Sequence, residues 1–196
     1  MANRIVGLKN LYIAEKLGEN KYGEPIRLVG AKSVKTTNEN NEVMFYSDDV
    51  MDVYQNALTA MSIEIELAYL TPEIESLLTG KEINDIGALV TGAGDSQKTV
   101  AFMYQMETLE KPIRRVLYET ILTRNDMEST TKTDKVEEST VKLSGKAKAR
   151  AIDGKFDLVM DSNNIPVGKE EAFAEAFGKF FTGVVLPDGT ISPASK

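Results

Sequence analysis

The 196 residues contain no cysteine and no histidine. Without cysteine there is no disulfide, no thiolate nucleophile and no cysteine zinc site. Without histidine the commonest general base, the commonest metal ligand and the centre of most nucleophilic triads are gone. Tryptophan is absent too, which removes the usual floor of a sugar site. Long apolar runs are missing: none approaches the ~20 residues of a membrane span. The opening M-A-N-R-I-V-G-L-K-N has no apolar core of a secretory signal. The expectation is a protein made and assembled in a cytoplasm, with no membrane partner. Positive charge is in the minority, with 23 Lys and Arg against 30 Asp and Glu and a net charge of −7. That balance opposes a DNA-gripping role, because phosphates are bound by clustered Lys and Arg. An acidic surface repels DNA instead.

What is present is period-two alternation, the signature of half-buried strands. Met61, Ile63, Ile65, Leu67 and Tyr69 alternate with Ser62, Glu64, Glu66 and Ala68. Val100, Phe102, Tyr104 and Met106 form a second such run. In a third, Val116, Tyr118, Thr120 and Leu122 oppose Arg115, Leu117, Glu119 and Ile121. Both faces carry apolar residues there, so this strand is expected to be covered twice. Weaker strands are expected at 8–14, 26–36, 42–47, 50–56, 86–91, 140–152 and 155–161. Asp153-Gly154 between the last two reads as a hairpin turn.

Two helices interrupt the strands. Thr71 can cap the first, Pro72 suits its first turn, Glu73 favours its positive end and Gly80 can close it. The second is expected at about 169–181, where Phe173, Phe177, Phe180 and Phe181 recur at helical spacing among alanines. That stripe reads as core packing. The T-T-N-E-N-N stretch at 36–41 has turn chemistry, and 125–140 reads as a long polar loop. The last ten residues, 187–196, read as an arm with no packing of its own. No repeat or linker divides the chain, so a single domain over 1–196 is expected. The expected fold is mainly β: an antiparallel sandwich or barrel-like sheet pair with one or two flanking helices and extended loop and terminal arms.

Candidate chemistry is sparse. G-A-G-D-S-Q-K-T at 92–99 nearly matches a phosphate cradle. It has Gln97 where glycine is needed, and a strand follows where a helix must. Paired carboxylates occur at Asp48-Asp49, Glu64/Glu66 and Glu137-Glu138, but sequence spacing alone gives none the fixed gap of a carboxylate pair. No calcium loop is present. No catalytic, cofactor-binding or metal-binding residue is assigned, and no cofactor is expected. Lys142, Lys146, Lys148 and Arg150 fall at even positions on an expected strand, so they are expected to share one face and to meet an acidic surface of another subunit.

The order of segments resembles the major tail proteins, or tail-tube proteins, of long-tailed bacteriophages. The carrying segments are G-L-K-N-L-Y-I-A at 7–14, Y-G-E-P at 22–25, F-Y-S-D-D at 45–49 and S-I-E-I-E-L-A-Y-L-T-P-E at 62–73. They continue with R-R-V-L-Y at 114–118, T-K-T-D-K-V-E-E-S-T at 131–140, D-G-K-F at 153–156 and F-F-T-G-V-V-L-P at 180–187. No single motif is diagnostic; the series runs over nearly the whole chain. One departure is Phe180-Phe181, where the family pattern has a tryptophan.

The resemblance implies a virion subunit that forms hexameric rings, stacked into a tube through which genomic DNA is ejected without specific binding. Sheets of neighbouring subunits would join into a closed inner barrel with no free edge. It implies partners in itself, a tape measure protein, a tail terminator and tail-tip proteins, with assembly in a bacterial host's cytoplasm. Ser62, Glu64 and Glu66 are then expected to face the lumen, and residues 36–57 to form a hairpin or loop between rings. A tube from a contractile or phage-derived particle fits the same segments. A non-enzymatic β-sandwich that decorates a virion is the alternative. A carboxylate-based enzyme is a third reading, disfavoured by the missing residue types.

Overall fold

Alternating apolar residues need an apolar layer on one side, and here they find it by curling one sheet around itself. The computed structural model describes residues 3–47, 50–124, 140–192 and 194–195. Strands account for 51% and helices for 10%, so the chain is mainly β with two helices. The elements are β1 (Ile5–Glu15), β2 (Tyr22–Gly23), β3 (Ile26–Leu28), β4 (Ala31–Ser47), β5 (Val50–Leu67), α1 (Pro72–Thr79), β6 (Glu82–Ile83) and β7 (Leu89–Val90). They continue with β8 (Thr99–Thr108), β9 (Ile113–Arg124), β10 (Val141–Ala147), β11 (Asp157–Asp161), α2 (Glu170–Gly178) and β12 (Ala194–Ser195). Eight of the strands form one antiparallel sheet in the order β3-β1-β8-β9-β10-β5-β4, with β11 also on β9.

The two ends of that order are joined by only two residues. β3 ends at Leu28 and β4 starts at Ala31. Gly30 has φ +78, and its carbonyl accepts from Ala68 N at 2.7 Å. A bent strand that passes from one edge to the other is how sheet corners are made. The inner face encloses one core, with Leu11, Ile13, Leu28, Ile63, Ile65, Leu67, Phe102, Leu117 and Leu143 among its members. Helix α1 adds Ile74 and Leu78. Its caps follow the sequence: the Thr71 side chain accepts from Ile74 N, and Gly80 is left-handed with φ 76.

A second core lies on the other face of β1, β8 and β9. Ala14, Ala101, Met103, Val116 and Tyr118 pack there under Ala176, Phe180, Val184 and Val185. Phe180 is fully buried, a burial that stabilises by about 2 kcal/mol. Phe181 stacks on Tyr12 at 4.8 Å, and the Arg114 guanidinium lies 3.9 Å from the Phe177 ring centre. Strand β9 is therefore covered on both faces, as expected. Its alternation is broken, however. Glu119 has φ 43, and the β8–β9 register shifts between Val100 and Phe102. This bulge places Val116 and Tyr118 on the α2 side but Leu122 inside the first core.

Four expectations are corrected. The 36–41 stretch is strand, since β4 runs unbroken through it opposite β5. Pairing overrides its Asn and Thr content. The Asp153-Gly154 turn forms, with Gly154 at φ 68 and its N–H on Arg150 O at 2.8 Å. The strands it joins are not hairpin partners: β10 and β11 run one after the other along the same edge of β9. The C-terminal segment packs, at least through Ser192. Val185 and Ile191 form a bridge, Tyr118 OH donates to Val185 O at 2.6 Å, and Tyr22 N donates to Ser192 Oγ at 3.0 Å. The second helix stops at Gly178, so Phe180 and Phe181 lie beyond it in a following turn. The polar loop expected at 125–140 lies outside the described residues, apart from Thr140.

Candidate functional site

The register of β5 defines the most unusual surface. Strand β10 pairs with it from Val141↔Leu67 to Ala147↔Met61 and then leaves. Beyond Met61, β5 keeps only β4 among the described residues, with pairs running from Glu39↔Ala60 to Ser47↔Val50. The result is a two-stranded ribbon, about 30 Å long at ~3.3 Å per residue. Every side chain described at 41–44 and 54–57 is exposed, Val43, Met44 and Tyr54 among them. A bulge at Thr59 marks the ribbon's base, where Thr59 Oγ1 donates to Glu39 O at 2.9 Å. This hairpin falls where residues 36–57 were expected to make one. An isolated two-stranded ribbon is marginal in water.

Below the bulge, β4, β5 and β10 share an exposed outer face. Ser62, Glu64 and Glu66 point to it, while Met61, Ile63, Ile65 and Leu67 point inward. The same face carries bases, because Lys142 pairs with Glu66, Ser144 with Glu64 and Lys146 with Ser62. On the other side Ser33, Lys35 and Thr37 are the partners of Glu66, Glu64 and Ser62. Ser62, Glu64 and Glu66 therefore share one surface with Lys142 and Lys146 of the predicted bases. If Glu64 lines a channel, Lys142 and Lys146 line it too. The face is not acidic: Lys32, Lys35, Lys142 and Lys146 stand against Glu39, Glu64 and Glu66.

These charges are tied to one another. Lys146 Nζ donates to Glu39 at 2.8 Å, Ser62 Oγ also donates to Glu39, and Lys35 Nζ lies 3.6 Å from Glu64. The Lys146 hydrogen bond, then that of Ser62, holds the Glu39 carboxyl below the usual glutamate value. Thr140 Oγ1 donates to Glu66 at 2.6 Å and is the main cause that lowers Glu66. Ser33, Lys142 and Lys32 add to it against partial desolvation.

The other two predicted bases do not belong to that face. The strand ends at Ala147, so the even-position spacing loses its meaning. Lys148 is exposed but turns to Glu119, 3.6 Å away, on the bulge of β9. Lys16 holds the same buried carboxylate at 2.5 Å. Arg150 is 3% exposed, so it is a core residue of this chain. Its guanidinium carbon lies 5.0 Å from the Tyr118 ring centre and it donates to Asn20 Oδ1. Nη1 sits 2.9 Å from Asp153 but out of line for a hydrogen bond. Burial raises the hydroxyl pKa of both tyrosines beside it, Tyr22 to about 12 and Tyr118 higher still. Only the tertiary fold reveals this cluster, since a lone Arg among lysines carries no burial signal.

Elsewhere the chemistry is slight. Lys98 of the cradle-like segment is paired with Glu15 at 2.8 Å, and Thr99 opens β8. Glu64 and Glu66 sit two apart on one strand face; Asp48-Asp49 and Glu137-Glu138 lie outside the described residues. Among the described residues no group of three metal-binding side chains occurs, and no helix is long and apolar enough to cross a membrane. A groove of about 760 Å³ lies between β11, α2 and residues 185–190, floored by Leu158, Met160 and Phe173 and rimmed by Asp161, Lys169 and Asp188.

No protein-family model matches the chain, and no curated protein matches it. The chain exposes a long two-stranded ribbon and a charge-mixed sheet face.

Proposed function

We propose that this chain is a self-assembling structural subunit, and that it builds the tail tube of a long-tailed bacteriophage. The observation that carries the assembly reading is the β4–β5 ribbon, free of the sheet and exposed on both faces. Ordering such a ribbon costs roughly 1–2 kcal/mol per residue in backbone entropy, and its described side chains at 41–44 and 54–57 stay exposed. A neighbouring copy that packs on it would supply the missing burial. The step from self-assembly to tail tube rests on the resemblance in segment order. On this reading the subunits form stacked hexameric rings, with tape measure, terminator and tail-tip proteins at the core and ends. The net charge of −7 suits a conduit that DNA crosses without binding. The mixed face of Ser62, Glu64, Glu66, Lys142 and Lys146 makes a lumen neutralised by internal ion pairs rather than an acidic one.

Negative-stain electron microscopy across a concentration series tests the proposal. Rings or hollow tubes of uniform diameter are expected. A discrete monomer or trimer at every concentration would instead fit a module that decorates a virion.

A further inference from the structure

Strand β11 has a free edge beside an apolar groove. On one side it pairs with β9, from Asp157↔Leu117 to Asp161↔Ile113. No strand pairs with its other side among the described residues. One bond just ahead of that ladder sets its phase: Tyr118 N donates to Phe156 O at 2.9 Å. Bonded pairs alternate along an antiparallel ladder, so Leu158 and Met160 turn their N–H and C=O groups to β9. Asp157, Val159 and Asp161 turn theirs to the free side. There the Asp161 carbonyl accepts from Asn164 N at 3.3 Å, while Val159 has no backbone partner among the described residues.

The groove of about 760 Å³ runs along that edge, because Leu158, Val159, Met160 and Asp161 all line it. Consecutive strand side chains point to opposite faces, so a groove that meets all four reaches the strand's backbone. Its other walls include Ala172, Phe173 and Ala176 of α2, with Val185 and Pro187. Two exposed valines adjoin it: Val159 itself, and Val167 between the lining residues Pro166 and Lys169. The rim holds two acids and one base, and both acids already accept hydrogen bonds, Asp161 from Asn163 N and Asp188 from Thr190 N. Charge therefore selects little here. Unpaired main chain beside an apolar trough selects an extended strand, the combination by which a sheet edge takes up a peptide.

We infer that this groove takes an extended segment of a second, different protein, which adds a strand to β11 and sets apolar side chains at every second position into the trough. Strand β11 has five residues, so the segment it can hold is about 17 Å long at ~3.4 Å per residue. The layering of the fold says where that partner stands. In order come the charge-mixed face of β4, β5 and β10, the first core, strands β1, β8 and β9, the second core and α2. With Glu64 and Lys142 toward a channel, α2 and its groove look radially outward. Neighbours in a ring stand to the sides, and neighbours in a stack above and below, so no copy of this chain lies on that outer flank. The occupant is then an arm of a protein that surrounds the tube. The outward placement rests on the self-assembly reading; the strand-accepting edge does not.

The probe is a dye-labelled, end-capped peptide of alternating valine and threonine, with fluorescence anisotropy read on the free subunit and on assembled particles. Val159→Pro removes one outward N–H and keeps every bond to β9, and an edge strand tolerates proline in that position. Val159→Thr keeps the N–H. Ala172→Gln fills the trough from an exposed helix position and carries the test if V159P melts early. V159P and A172Q should each weaken binding about tenfold or more, and V159T should stay within about twofold. All three should assemble as the wild type does, and assembled particles should bind the peptide as the free subunit does. Absence of saturable binding to the wild type overturns the inference, as does equal binding by the wild type and A172Q. Assembly lost in a folded V159P, or particles that no longer take the peptide, would make the groove a contact between copies; that overturns the inference and leaves self-assembly standing. A wild type that binds the peptide but never assembles overturns the self-assembly reading and the outward placement, and leaves the strand-accepting edge.

Discussion

Excising residues 41–57 and joining Asn40 to Leu58 through Asn-Gly should leave the fold intact and abolish assembly. The geometry allows it, since Asn40 and Leu58 are cross-strand partners and Asn-Gly suits a two-residue hairpin turn. The magnitude follows from burial. No side chain described in the excised segment is buried or half-buried. Leu58, which packs against the first core, is kept. The loss of stability should then stay within about 1 kcal/mol, or ~2–4 °C in Tm for a chain of this size. Circular dichroism melts give the Tm, and sedimentation with electron microscopy gives the assembly state. A drop beyond about 10 °C would show that the ribbon belongs to the subunit's own core. Tubes of normal diameter from the shortened chain would refute its role in assembly.

Two further outcomes test the packing. Gly145 faces the first core on the central strand β10, where an added Cβ would lie 2.0 Å from Ile121 O. Gly145→Ala should cost about 1–3 kcal/mol, as overpacking does, and an unchanged Tm would contradict the register. The raised pKa of Tyr22 and Tyr118 carries a pH signature. Each stays neutral in the folded chain while its unfolded form ionises from pH 10, so their stabilisation is complete below pH 10 and for Tyr22 is lost between pH 10 and about 12. Absorbance titration of tyrosinate should show these two ionising only as the chain unfolds. Titration of all tyrosines at pH 10 in the folded state would refute the buried cluster.

Local signals were legible wherever one physical cause governed them. Thr71, Pro72 and Gly80 mark α1 because capping is a property of neighbouring residues. The alternation from Met61 to Leu67 gives both the buried face and the exposed Ser62, Glu64 and Glu66. What pairing decides was hidden. The Asn-rich 36–41 stretch reads as a turn, yet sixteen residues of β4 paired with β5 hold it extended. The bulge at Glu119 switches faces within β9, and no composition rule announces a positive φ at glutamate. Lys142 and Lys146 were correctly placed on one face by parity. Parity failed at Lys148 and Arg150 because the strand had ended. The free hairpin was expected only through the resemblance, since exposure of both faces depends on which strand fails to pair.

Hydrogen exchange at the amides of 40–44 and 54–58 tests the central claim most directly, read in the free subunit and again after assembly. A ribbon without a sheet neighbour opens readily, so these amides should exchange fast in the free subunit while those of β8 and β9 are protected. On assembly they should become as slow as the core. Slow exchange already in the free subunit, or fast exchange that persists in the assembled particle, would contradict the account.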